Sequence, residues 1–100
     1  MLKITSTVER AQHRLIVEGK LIAPWIDELK NVCDRTRADM NGRKLVVDLQ
    51  CLTVISQEGE NVLLELLNEG VEIISSGLFA KQILKQLARR RRGNLQEKNR

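Results

Sequence analysis

Ser56, Gln57, Glu58 and Gly59 stand where a buried strand should give way to a helix. The strand is Lys44 to Leu49, a short loop follows over Gln50 to Ile55, and the helix runs to about Asn68. The first N–H groups of a helix lack intrahelical partners, and the peptide dipoles add partial positive charge there. Ser56 can cap that end by accepting a bond from an early N–H, or accept a phosphate itself. Glu58 and Glu60 place two acids in the first turn. Catalysis needs titratable groups that converge. Here Asp48, Glu58 and the single histidine, His13, are scattered, and no nucleophile stands beside a base. His13 falls near a turn without a second ligand in view, so no metal is expected. The chemistry expected is contact at Ile55, Ser56, Gln57, Glu58, Gly59, Glu60 and Asn61. No catalysis, no cofactor and no metal centre are expected.

The elements that must hold this segment are legible from period and punctuation. Residues 2–8 alternate loosely and residues 14–18 more strictly, with Leu15 and Val17 on one face and Arg14, Ile16 and Glu18 on the other. They form a hairpin joined through Ala11-Gln12-His13. Gly19 to Ala23 is a linker, and Pro24 suits the first position of a helix. Trp25, Ile26, Leu29, Val32 and Cys33 make one apolar stripe, and Lys30 and Asp34 can pair on the other face. Asn41-Gly42 reads as a turn. Leu45-Val46-Val47-Asp48-Leu49 suits a central strand covered on both faces. Val62, Leu63, Leu66 and Leu67 stripe the next helix, which Gly70 ends. Val71 to Ile74 is a last strand. Ser75-Ser76-Gly77 leads into a third helix with Phe79, Ile83, Leu84 and Leu87 inward. Leu45, Val47, Leu63, Leu66, Ile73 and Leu84 should share one core.

The order β-β-α-β-α-β-α predicts an α/β fold with a mixed four-stranded sheet. Residues 1–88 form one domain and residues 89–100 a basic, disordered tail. A chain of 100 residues supports one core, and Trp25 and Phe79 are the only aromatics, so that core is aliphatic. Residues 1–88 carry eleven Lys or Arg against twelve Asp or Glu; residues 89–100 carry six against one. The body is therefore near neutral, which argues against a broad nucleic-acid surface. Arg89, Arg90, Arg91 and Arg92 suit a helix end and could meet an anionic membrane surface or an acidic partner. No aromatic lies among them to stack on bases. Cys33 and Cys51 are read as reduced thiols. No bilayer-spanning run and no signal-peptide core is seen, so a cytoplasmic location is expected.

In its order and spacing the chain resembles the STAS domain, the fold of bacterial anti-sigma factor antagonists. Gly19-Lys20-Leu21 resembles that family's Gly-x-Leu connection before the first helix. Leu45 to Leu49 with Leu52-Thr53-Val54-Ile55 resembles its central strand and switch loop. Ser56-Gln57-Glu58-Gly59 takes the place of its Asp-Ser-Ser-Gly motif. Val71 to Ile74, leading into Phe79 to Leu87, resembles its last strand and helix. The resemblance covers residues 2–88 and implies a STAS-like single domain with helices packed mainly on one face. It implies a protein-interaction module whose partner is an anti-sigma factor or another regulatory protein. In the family, the residue after the motif's Asp accepts phosphate. That Asp falls on Ser56, the acceptor on Gln57 and the next Ser on Glu58, and Gly59 alone is kept. Gln57 has no hydroxyl, so the resemblance carries the binding face without the usual acceptor; Ser56 is the substitute candidate. Glu58 reads either as a helix-end acid or as a fixed charge imitating a modified state. The alternative reading is a cytoplasmic STAS accessory subunit of a membrane lipid-transport complex of the ABC type.

Overall fold

The computed structural model of the chain describes residues 1–38, 42–75 and 77–98. Strands β1 (Leu2–Val8) and β2 (Gln12–Leu21) form the hairpin, followed by α1 (Trp25–Arg37), β3 (Lys44–Ile55), α2 (Gln57–Asn68), β4 (Glu72–Ile74) and α3 (Leu78–Lys98). The sheet runs β1-β2-β3-β4. β1 is antiparallel to β2, whereas β2, β3 and β4 are parallel. This is the expected mixed four-stranded α/β architecture.

Alternation divides the sheet into two unlike faces. Leu15 and Val17 of β2, Leu45 and Val47 of β3 and Ile73 of β4 enter one core. Ile26, Leu29 and Cys33 of α1, Leu63 and Leu66 of α2, and Ala80, Ile83 and Leu87 of α3 meet them there. The helices thus cover a single face. Of the six residues expected to share the core, five are buried, and Leu84 packs half-buried at its margin. On the other face stand Arg14, Ile16, Val46, Asp48 and Ile74. Val46 and Asp48 are buried there although Val46 lies outside the main core cluster. Covering on both faces therefore comes from flanking strands on that side, not from a second helical layer.

Several expectations are corrected. Gln50 to Ile55 is not a loop but the second half of β3, which pairs with β2 as far as Leu21↔Ile55. Two register shifts, between Ile16/Glu18 and Gly19/Lys20, each insert an extra β3 residue. Such bulges break strict alternation, which is why the segment reads as irregular. For the same reason Gly19 to Leu21 belong to β2 and not to a linker. Gln12 and His13 are strand residues, and the turn moves back to Glu9–Ala11. Pro24 is the N-cap of α1, one position earlier than expected, because Trp25 and Ile26 both donate to Ile22 O. Lys30 reaches Glu65 on α2, at 3.7 Å, in place of Asp34. Phe79 is 40% exposed, and Ala80 takes the inward position. Asn41 and Ser76 lie outside the described residues; Gly42 and Gly70 adopt positive φ, as turn and helix-end positions require. α3 continues to Lys98, where disorder was expected. Arg, Leu, Gln, Glu and Lys favour helix, and the lone Gly93 does not break it.

Candidate functional site

The site lies where β3 ends and α2 begins. Ser56 is extended (φ −86°, ψ 168°), and its Oγ accepts from Gly59 N–H at 3.1 Å. It caps α2 as the sequence implied. Its own N–H donates to Leu21 O at 3.1 Å, and its carbonyl accepts from Glu60 N–H at 3.0 Å. Ser56 thereby ties the start of α2 to the end of β2.

Gly59 is buried in this joint. A Cβ built on it would lie 2.6 Å from Leu21 O and 2.9 Å from Ile55 Cγ1. No side chain fits at those separations, so the first turn of α2 seats directly on the β2 backbone. Gly59 therefore contributes closeness of approach, not a contact surface. Gln57, Glu58 and Asn61 are exposed, while Ile55 and Glu60 are half-buried. Gln57 and Glu58 form the outer corner of the helix start. Thr53, the nearest upstream hydroxyl, donates to Gly19 O at 3.1 Å, and Val54 beside it is 41% exposed.

α3 reaches the same place. Arg90 donates to Asn61 Oδ1 at 2.5 Å and lies 3.9 Å from Glu60 Oε1. Arg89 is exposed, and Arg91 and Arg92 follow on the helix with side chains outside the described residues. One expected tail residue is thus part of the site's rim. Leu21 and Arg90 escape a reading of the sequence because each acts across more than 25 positions. Arg90 in a basic helix end gives no local sign of its acceptor.

The remaining titratable groups take structural positions. Asp48, buried on the helix-free face of the sheet, accepts from Arg14 Nε at 3.0 Å and also from Nη2. That bond, then the carboxylate's charge, raises the Arg14 pKa above its ordinary value. His13, half-buried on β2, hydrogen-bonds Ser6 across the hairpin. Burial, reinforced by Asp34, pushes the Cys33 thiol up to about 11, while Cys51 is exposed. Among the described residues, no three His, Cys, Asp or Glu side chains could together hold a metal ion. No helix among them is long and apolar enough to cross a membrane.

No protein-family model and no curated protein matches the chain. A solved structure does: an uncharacterized protein of the DUF3478 family, with a SpoIIAA-like fold, from Shewanella loihica PV-4. The two superpose with a TM-score of 0.54 at 18% identity, over 79% of this chain and 71% of that one. The SpoIIAA-like fold is the STAS fold, and this chain adopts it.

Proposed function

We propose that this domain is a non-catalytic protein-interaction module whose partner is an anti-sigma factor or a similar regulatory protein. The partner docks across Ile55–Asn61, with Gln57, Glu58 and Asn61 making the outer contacts. One observation carries the reading. The start of α2 is held rigidly on β2 by Ser56 and Gly59, yet its outer corner is left free and polar. A pre-organised corner loses little entropy on binding. The SpoIIAA-like fold supports the same class of role.

Regulation by phosphate at Gln57 has no chemical basis, because an amide cannot accept the group. Ser56, the substitute candidate, already uses its hydroxyl oxygen to cap α2, and added phosphate would sit beside Glu58 and Glu60. The proposed binding face is therefore constitutive. That favours a second reading, the accessory subunit of an ABC-type lipid transporter, in which no phospho-switch is required.

Affinity capture of the full chain from its native host, beside a Glu58→Lys variant, tests this. A histidine-kinase-like ATPase retained by the wild type and lost by the variant supports the first reading. Transporter subunits behaving the same way support the second. Equal capture by both chains removes α2's corner from the interface. Stoichiometric phosphate on Ser56 would overturn the constitutive face.

A further inference from the structure

β1 is an edge strand with little of the usual protection. Natural edges are blunted by charge, proline, bulges or shortness. The opposite edge, β4, is only three residues long. β1 has seven, with one charge (Lys3), no proline and an unbroken register from Leu2↔Gly19 to Val8↔His13. Thr5, Ser6, Thr7 and Val8 are all exposed, Val8 at 57%.

The direction of its free hydrogen-bonding groups follows from two bonds. Lys20 N–H donates to Met1 O, and Glu9 N–H donates to Gln12 O. Odd-numbered residues of β1 therefore face β2. In an antiparallel pair the groups alternate, so the N–H and C=O of Leu2, Ile4, Ser6 and Val8 point outward from the sheet. Four donors and four acceptors lie in one row.

We propose that this row pairs with the same row of a second copy, antiparallel, with Thr5 on the two-fold axis. In that register Leu2 faces Val8 and Ile4 faces Ser6, in both halves. Every outward donor and acceptor then has a partner. The pleat is respected, since even-numbered side chains meet even-numbered ones on the helix-covered face. The exposed Val8 gains Leu2 of the other copy as its neighbour. Lys3 stands opposite Thr7, so no like charges meet. Moving the axis to Lys3 would set two ammonium groups against each other, and a one-residue slip would exchange the faces. The result is one eight-stranded sheet with both helical layers on the same side. Because the copies run antiparallel, their two α2 corners fall at opposite ends of that sheet, and both stay free. The dimer thus stands independently of the partner proposed above.

Light scattering of the full chain over a concentration series should give a two-chain mass. Thr5→Lys and Thr5→Glu, each placing like charges across the axis, should run as folded monomers by circular dichroism. Mixing them in equal amounts should regain the two-chain mass. Thr5→Cys in a Cys51→Ser background should oxidise to a covalent dimer, since paired Cα atoms about 4.5 Å apart fit a disulfide. If a charged variant misfolds, Ser6→Pro removes an outward N–H while sparing every backbone bond to β2, losing only the side-chain bond to His13, and should also run as a monomer. A wild-type monomer at all concentrations would overturn the proposal, as would a dimer that survives both Thr5→Lys and Ser6→Pro.

Discussion

Gly59 and Cys33 show how single side chains, or their absence, bear on this fold. At Gly59, Ala would improve helix propensity by up to about 1 kcal/mol. Its methyl would meet Leu21 O, a backbone atom already engaged by Ser56 N–H, at 2.6 Å. Overpacking of this kind costs about 1–3 kcal/mol, so the clash wins. Gly59→Ala should lower the urea midpoint; an unchanged or raised midpoint would show that α2 does not seat on β2. Cys33 predicts a pH effect. Its folded pKa, about 11, lies above the ordinary 9.0. Between these values the unfolded chain has lost the thiol proton and the folded chain keeps it, so stability falls as pH rises. Below pH 9.0 the contribution is fully present. Wild type should therefore lose more thermal stability from pH 9 to 11 than Cys33→Ala does over the same range. Parallel losses would refute this. Under native conditions a thiol reagent should modify the exposed Cys51 first.

At the scale of elements, α2 is the keystone, because it packs on the sheet and touches both α1 and α3. Leu66, 4% exposed, is part of the buried core in that packing, and Leu84 packs half-buried against it. Leu66→Ala should cost about 2–5 kcal/mol by lost transfer energy and a residual cavity. Leu84→Ala should cost less, because a half-buried site leaves a hollow that water can enter. Chemical denaturation of both variants gives the comparison, and equal losses would contradict the placement of Leu84. β3 carries a different lesson. Its buried Asp48 is tolerable because Arg14, one strand away, supplies a charged donor. The pair belongs to the sheet's architecture and not to the candidate site, which lies at the C-terminal end of β3.

For the molecule as a whole, charge is the organising asymmetry. The near-neutral body and the strongly basic residues 89–100 meet where Arg90 contacts Asn61 and approaches Glu60. If Arg89 to Arg92 engage an anionic surface, retention on vesicles containing acidic lipid should fall as salt rises. Replacing the four by Gln should abolish that retention. Retention that is equal for both proteins would dismiss the membrane contact.

How much of this was legible beforehand follows from the range of each interaction. Element order, the α1 and α2 stripes, the cap at Ser56 and the glycine after α2 depend on neighbours within about one helical turn, and the sequence by itself determined them. Composition likewise settled one aliphatic core. The candidate segment was visible for the same reason: strand, cap and helix are contiguous from Leu45 to Asn68. Tertiary structure decided what contiguity cannot encode. The two bulges of β3 exist only against β2, since a register shift is a relation between strands. Gly59's necessity comes from Leu21, Asp48's partner from Arg14 and Asn61's from Arg90, each brought near by pairing or packing and not by spacing. Which strand forms the open edge is also a property of the assembled sheet, because a strand becomes an edge only once its neighbours are chosen.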